Sequence, residues 1–487
     1  MGTSLKGRAA VLGIAMGLAL LLSEGLGCDG APADGDADGD GDGDGDGDAD
    51  GDGDGDGDAE VDGDVEVDGD GDAEVDGDVE VDGGEPMRWL RVSATGRFLE
   101  YVDGAPFFWM GDTAWTLFHR LSVEEAALYF EDRAAKGFTV VQAVLTGPGA
   151  IDGLHNPDHD IVDGELPFEE ADPTRPNEAF FSRVDEVLDL AEEHGLYVGL
   201  LPTWGEYVCP GWQNGPKIFD VDNARAYGEW LGDRYGARPN MIWILGGDRN
   251  ADHCEEADLE IWRAMAGGID DRAPAHLMTY HPQGLGSSAT WFHDDSWLDF
   301  NMYESHTHAD RIVRMTREAY DRSPPKPVVN GEPWYYGYDS SSDRVYRSQP
   351  YWTMLSGGAG HTYGERFVWQ FSKGDSNFND FIEVIPEGRW TEALDTAATG
   401  WLLLWRDFFL AIPWTDLVPE PALIESGAGS GENEKVAART ARGSMIVVYF
   451  ATPTAATIDL TALSGAEAEA RWWNPADGTE SVEGTVP

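Results

Sequence analysis

The chain has 487 residues and is strongly acidic, because 91 Asp and Glu outnumber 32 Lys and Arg and give a formal net charge of −59. A surface of this charge repels phosphate backbones, which argues against nucleic acid as a partner. The length exceeds that of one small domain, so we expect more than one folded unit.

Residues 1–27 have the pattern of an export signal. Lys6 and Arg8 supply the positive end, the apolar run VLGIAMGLALLL follows, and small residues precede Cys28. That run is shorter than the roughly 20 residues needed to span a bilayer. The stretch LSEGLGC resembles a bacterial lipoprotein cleavage site. It predicts lipidation at Cys28 and anchoring on the bacterial envelope or cell surface, with simple secretion as the alternative.

Residues 28–85 are predicted to form a spacer. From Asp29 to Glu85 there are 27 acidic residues and no Lys or Arg, first as Asp-Gly alternation and then as two copies of AEVDGDVEVDG. This stretch has little apolar surface to bury and strong self-repulsion, so we expect it to be extended and disordered. It lacks the bidentate Glu of calcium loops, so we expect only weak, nonspecific cation binding.

Residues 86–425 alternate short apolar runs with amphipathic stretches, which predicts parallel strands joined by helices. The helical stretches begin at Ser or Asn cap candidates, as in SVEEAALYFEDRAAKG, NEAFFSRVDEVLDLAEEHG and NARAYGEWLGDRYGAR. Eight strands favour a closed (β/α)8 barrel over an open sheet. The predicted strands are PFFWMGDTA, GFTVVQAVL, LYVGLLPTWG, MIWILGGD, HLMTYHP, LDFNMYESH, KPVVNGEP and HTYGERFVWQF.

Residues 426–487 have a different pattern. After the linker SGAGSGENE come the alternating runs MIVVYFA, AATIDLT and AEARWWNP, bounded by turn residues. They predict a small antiparallel β-sandwich-like domain, in which no closing strand is obvious.

Two acids end predicted strands of the barrel, Asp248 after the fourth and Glu332 at the end of the seventh. Catalytic groups of such barrels lie at the C-terminal ends of the strands. Two converging carboxyls suit cleavage of a glycosidic bond, since one protonates the departing oxygen while the other meets the positive charge on the anomeric carbon. Structural ion pairs, with Arg249 for Asp248 and at the barrel rim for Glu332, are the alternatives.

Other polar and aromatic residues follow the predicted strands and are candidates for substrate binding. Asp112 could equally cap the first helix, and the two histidines of the group suit hydrogen-bonded support better than catalysis. The tryptophans could offer flat faces to a sugar ring. The candidates are Asp112, Trp115, Gln142, Trp204, Tyr280, His281, His306, Tyr363 and Trp369.

Cys209 and Cys254 follow the third and fourth predicted strands. In an exported protein they could form a disulfide between two loops beside the site, and two unpaired thiols are the alternative. No zinc-ligand spacing accompanies them, so we predict no metal site.

The ordered motifs GLYVGLLPTWG, NMIWILGGD, WLDFNMYESH, GEPWYYG and GHTYGERFVWQF resemble the apiosidase-like catalytic domain of glycoside hydrolase family 140 over about residues 88–420. The C-terminal part resembles the collagen-binding-type β domain that follows it. The resemblance implies a (β/α)8 barrel with Asp248 as acid/base and Glu332 as nucleophile. The chain departs from its relatives at Glu304–Thr307, where they tend to read Gln-Ser-Gly-His.

The sequence therefore predicts an exported glycoside hydrolase that acts by retention on complex polysaccharide, with pectic, apiose-containing chains as one substrate class. We expect no cofactor, and contact with a membrane only through the lipid anchor. The alternative is a noncatalytic carbohydrate-binding surface lipoprotein, which assays on aryl glycosides and pectic fragments would distinguish. A proteolytic or matrix-binding role is disfavoured, because the chain has no HExxH motif and no persuasive Ser-His-Asp arrangement.

Overall fold

The computed structural model describes the backbone of Ala9–Ala15 (β1) and residues 87–147, 164–210, 216–338, 342–374 and 388–486. Cys28 and the acidic spacer predicted for residues 28–85 lie outside the described residues, as does most of the predicted export signal. Among the described residues, no helix is both long and apolar enough to cross a membrane.

Three short antiparallel strands precede the main sheet. They are β2 (Leu90–Val92), β3 (Leu99–Tyr101) and β4 (Pro106–Phe107).

Eight parallel strands form a nearly closed barrel, which confirms the predicted fold class. Each of the eight predicted apolar runs overlaps one of these strands. Their residues are almost all buried, as expected for strands with helices outside and packed side chains inside. The strands are β5 (Trp109–Thr113), β6 (Val140–Val144), β7 (Tyr197–Leu201), β8 (Met241–Gly246), β9 (Leu277–His281), β10 (Asn301–Glu304), β11 (Val328–Glu332) and β12 (Gly360–Tyr363).

The barrel is incomplete between β9 and β10, which are the two ends of the sheet order β10-β11-β12-β5-β6-β7-β8-β9. Individual hydrogen bonds bridge the gap. The Met278 amide donates to Asp299 Oδ2 at 2.8 Å, and Thr279 Oγ1 donates to the Phe300 carbonyl at 2.6 Å. Strand pairing therefore fixes seven neighbour pairs, and individual hydrogen bonds hold the eighth.

Helices in the described part of the chain surround the barrel. They are α1 (Leu117–Arg120), α2 (Val123–Ala135), α3 (Glu178–Glu193), α4 (Val221–Tyr235), α5 (Asp258–Arg272), α6 (Ile312–Tyr320), α7 (Asp343–Leu355) and α8 (Ala397–Leu410).

The helix caps agree with the sequence in two cases and differ in a third. Ser122 caps α2 in a reciprocal capping box with Glu125, and Asn177 caps α3. The Asn cap predicted for α4 is wrong. Asp220 caps that helix, and Asn223 lies three residues inside it, where its side chain bonds back to the Asp220 amide.

The C-terminal region forms small, mainly antiparallel sheets, as predicted. Its strand pairing already begins at Leu417, where β13 pairs with β15, ahead of the predicted boundary at residue 426. The backbone of β1 runs parallel to β16 and β18 in the larger sheet. The strands are β13 (Leu417–Pro419), β14 (Ile424–Ser426), β15 (Val436–Thr440), β16 (Met445–Phe450), β17 (Thr457–Ile458), β18 (Ala468–Trp473) and β19 (Glu480–Val486).

The C-terminal sheet packs on α7 of the barrel. The rings of Tyr351 and Tyr449 stack with centroids 4.9 Å apart and planes 2° from parallel. The Tyr449 hydroxyl also hydrogen-bonds Ser348 Oγ at 2.7 Å, and Trp352 Nε1 donates to the Glu434 carbonyl at 2.9 Å.

Candidate active site

A cavity of about 330 Å³ opens at the C-terminal ends of the barrel strands. It brings together three acids from three strand ends: Asp248 after β8, Glu304 at the end of β10 and Glu332 at the end of β11. Its lining comprises Asp248, Gln283, Gly284, Leu285, Glu304, His306, His308 and Glu332. The two acids predicted to be catalytic therefore face one open cavity.

A tight turn aims Asp248 at this space. Gly246 and Gly247 precede it with φ of +91° and +114°, and Asp248 itself has φ of +48°. A Cβ at Gly246 would lie 2.3 Å from the His281 carbonyl oxygen, and one at Gly247 would lie 2.8 Å from the Trp204 ring. Only glycine fits such a turn, so the two glycines explain how the backbone can present the acid.

The protonation of Asp248 is shifted toward the acid form. Burial, followed by the nearby charge of Glu332, raises its pKa to about 7, although Arg249 and His281 oppose the shift. The following loop is anchored because the Tyr280 hydroxyl donates to the Arg249 carbonyl at 2.8 Å. Asp248 can therefore hold a proton near neutral pH at a fixed place.

Two buried groups lie beside Glu332. Its Oε2 lies 3.1 Å from His281 Nε2. Burial, followed by the charge of Glu332, raises the pKa of the Tyr335 phenol well above the usual value. Gln142 Nε2 donates to the carbonyl of the preceding Gly331 at 2.9 Å, which fixes the end of β11. The side chain remains partly exposed to the cavity, at 15%. Glu332 is thus oriented and accessible, as an attacking carboxylate must be.

Several predicted site residues form the layer behind the two acids. Trp115 donates from Nε1 to the Tyr335 hydroxyl at 3.0 Å, and its ring meets His281 and Trp204 edge to face at 5.3 and 5.4 Å. Trp115 and Trp204 are nearly fully buried. Together with Gln142, Tyr280 and His281, they hold the acids in place.

Besides the five residues just described, three more predicted substrate-binding residues lie outside the cavity lining. Asp112 is buried and bound to Arg133 Nε at 2.6 Å and to the Tyr129 hydroxyl at 2.5 Å, while Thr116 occupies the cap position of α1. Neither a sugar contact nor a helix cap describes the contacts of Asp112. Tyr363 bonds Thr396, and Trp369 bonds Tyr338. By contrast, His306 lines the cavity and is exposed.

Glu304, Gln283, His308 and Tyr335 are site residues that the sequence analysis did not select. Glu304 had a usable signal, because it directly ends the apolar run LDFNMY, the same pattern that identified Glu332. Gln283 and His308 lie in loops without such a signal.

In the structure, Cys209 and Cys254 are joined by a disulfide with 5.6 Å between their Cα atoms. It ties the loop after β7 to the loop after β8, the one that carries Asp248. The bond therefore braces the loop around the acid, and its sulfurs are not free to bind a metal.

His281, Glu304 and Glu332 each place one donor atom within 4.8 Å of the others, a spacing that metal centres also use. The three donor atoms therefore form one cluster where β9, β10 and β11 end.

A barrel with acids facing one cavity at its C-terminal strand ends is the architecture of many glycoside hydrolases. The family model "Apiosidase-like, catalytic domain" matches residues 93–416, and the model "Putative collagen-binding domain of a collagenase" matches residues 418–487. The chain belongs to the apiosidase-like family and is a glycoside hydrolase. The assignment to family 140 stays a prediction.

Two solved structures are similar over most of their length. One is a glycoside hydrolase family 5 protein from Bacteroides vulgatus, with 27% identity and a TM-score of 0.72 over 82% of this chain and 88% of that one. The other, titled "Glycoside hydrolase", has 29% identity and a TM-score of 0.72 over 82% and 91%. No curated protein matches the chain.

Proposed function

We propose that the protein hydrolyses glycosidic bonds with retention of configuration, with Glu332 as nucleophile and Asp248 as acid/base. The observation that carries the proposal is that both acids line one cavity in different environments. Asp248 holds a proton to near neutral pH, whereas Glu332 lies against His281 and Tyr335, which favour its orientation. When the surroundings of two acids give them different pKa values, one can act as the proton donor and the other as the nucleophile.

The reaction would proceed in two balanced steps. Asp248 gives its proton to the departing glycosidic oxygen while a Glu332 oxygen bonds to the anomeric carbon, so that the C–O bond breaks and a glycosyl ester forms. Asp248, now a carboxylate, then takes a proton from water as the water attacks the same carbon. The ester bond breaks, and both acids return to their starting states.

We propose complex polysaccharide as the substrate, with pectic, apiose-containing chains as the class to test first. Family membership supports this class, and the exposed His306 and His308 at the cavity rim could donate hydrogen bonds to sugar hydroxyls beyond the cleaved unit. Incubation with pectic side-chain fragments should release reducing sugar. If aryl glycosides are cleaved while every pectic fragment stays intact, the substrate class is wrong and the chemistry stands.

The pH profile should report Asp248. As pH rises through about 7, Asp248 loses the proton that the leaving group needs, so kcat/KM should fall with an apparent pKa near 7. Since the charge of Glu332 contributes to raising this pKa, Glu332→Gln should move the titration of Asp248 to lower pH. Carboxyl titration by NMR measures the shift in the slow variant. Activity that stays constant to pH 9 would contradict the assignment of Asp248 as the acid.

We further propose that the protein is exported and lipid-anchored through Cys28, with the acidic spacer lifting the barrel from the surface at roughly 3 Å per residue. Strand β1 lies within the proposed signal, so cleavage would remove it from the C-terminal sheet. Cys28→Ser should move the protein from the membrane fraction to the soluble exported fraction. Unchanged membrane association of this variant would contradict the anchor.

A further inference from the structure

Glu304 is a third acid of the cavity, to which the two-carboxylate reaction gives no role. It ends β10 directly beside the end of β11, and the register pairs Glu304 with Glu332 after a shift between Tyr303 and Glu304. This shift brings the two glutamates level at the same rim. Glu304 therefore lies beside the proposed nucleophile because of strand register, whereas Asp248 comes from the other side of the gap in the barrel.

One oxygen of the Glu304 carboxyl group, Oε2, is buried without a hydrogen-bond partner among the described residues. The residue is 1% exposed, lines the cavity, and has no hydrogen bond to Oε2 among the described residues. A buried polar oxygen without a partner is costly, so native structures rarely keep one unless a ligand or water completes it. Gly284 lies close by, since a Cβ there would be 3.3 Å from Glu304 Oε1. Glu304 therefore brings an oxygen without a partner to the wall of the cavity.

The charges around Glu304 favour a neutral acid. An oxygen of Glu304, an oxygen of Glu332 and a ring nitrogen of His281 lie within 4.8 Å of one another. Within the described part of the chain, the cavity lining includes neither Lys nor Arg, and its basic groups are His306 and His308. Burial first, then the charges of Glu332 and Asp248, raise the pKa of Glu304 well above its usual value.

We propose that Glu304 is a substrate-binding residue that stays neutral and donates its proton in a hydrogen bond to the sugar hydroxyl next to the anomeric carbon. This inference rests on the proposed role of Glu332, because attack places the anomeric carbon about 3–3.5 Å from its oxygen. The neighbouring hydroxyl then falls between Glu332 and Glu304. A protonated carboxyl both donates and accepts, which matches a hydroxyl group.

Glu304→Gln and Glu304→Ala test the inference, with Glu365→Gln as the matched control. Glu365 is also a buried glutamate with a raised pKa, but it accepts from the Phe367 and Val368 amides and does not line the cavity. The substrates are the 4-nitrophenyl glycoside that the wild-type enzyme cleaves fastest and its analogue without the hydroxyl next to the anomeric carbon.

Gln keeps a neutral donor and acceptor of the same shape, so Glu304→Gln should retain kcat/KM within about tenfold, and its activity should fall at the same pH as in the wild type. Glu304→Ala should lose about 100-fold on the hydroxylated substrate but less than about tenfold on the deoxy analogue, because each change removes the same hydrogen bond. Glu365→Gln should behave as the wild type with both substrates.

Two results would overturn the proposal. If Glu304→Gln is as slow as Glu304→Ala, or if its activity falls about one pH unit lower, Glu304 carries a charge in the working enzyme. If Glu304→Ala loses equally on both substrates, its role is structural. If the Ala variant does not fold, the kinetics of the Gln variant alone test the proposal.

NMR titration of 13C-labelled glutamates gives a readout without substrate, and a Glu304 carboxyl already ionised at pH 6 would also refute the proposal. Failure of the proposed function would instead show in the wild type, as absent hydrolysis.

Discussion

Replacement of Glu332 by Ala should lower kcat by about 10⁴-fold or more, which corresponds to about 5.5 kcal/mol of transition-state stabilisation. The loss should be similar for substrates with good and poor leaving groups, because the glycosyl ester itself can no longer form. Added azide should restore some turnover by attacking the anomeric carbon from the vacated side, and the glycosyl azide should have inverted configuration. Initial rates and NMR of the azide product measure both effects.

Glu365→Gln serves as the control for the Glu332 variant, since it alters a buried glutamate outside the cavity and should leave kcat within about twofold of wild type. A rescued azide product of retained configuration from the Glu332 variant would mean that the roles of the two acids are reversed. The free energy of unfolding of each variant should also be measured, because a fold-wide defect would lower rates without bearing on role.

Replacement of Asp248 by Ala should give the second large effect, and it should depend on the leaving group. Substrates with poor leaving groups should slow by about 10³-fold or more, whereas activated aryl glycosides should form the ester almost normally because they depart without protonation. Ester hydrolysis then becomes slow, since no base activates water. Azide should accelerate this step and give a glycosyl azide of retained configuration, because it attacks the ester without base assistance.

Asp248→Asn is the closest control for shape in the Asp248 series. It keeps the size of the side chain at φ of +48° but cannot transfer the proton, so it should resemble the Ala variant in leaving-group dependence. Asp112→Asn removes a buried carboxylate outside the cavity and should alter stability through its Arg133 contact without creating leaving-group dependence. Equal slowing of all substrates by Asp248→Ala would contradict the acid/base role.

The positions of Asp248 and Glu332 could be predicted because the sequence shows where a buried strand ends: a polar residue follows an apolar run. Each acid ends a run of apolar residues, and the barrel order places such ends on one rim. The same rule would have selected Glu304. What it could not give is burial, which depends on how Gly284 and the neighbouring loops close over the side chain.

Other features depended on contacts between distant parts of the chain. The sequence suggested a sugar contact or a helix cap for Asp112, but α2 packs so that Arg133 and Tyr129 reach it. The pairing of Cys209 with Cys254 required the loops after β7 and β8 to approach, which spacing alone left open. The gap between β9 and β10 could not be predicted either, because the sequences of both strands have ordinary strand patterns.

The most direct test of the two-carboxylate account is the configuration of the sugar first released by the wild-type enzyme. Proton NMR during early turnover of an aryl glycoside distinguishes the two anomers before they interconvert. The account predicts the same anomeric configuration as the substrate, because two successive displacements at one carbon restore it. An inverted first product would mean that water attacks directly, and Glu332 would then be a base instead of a nucleophile.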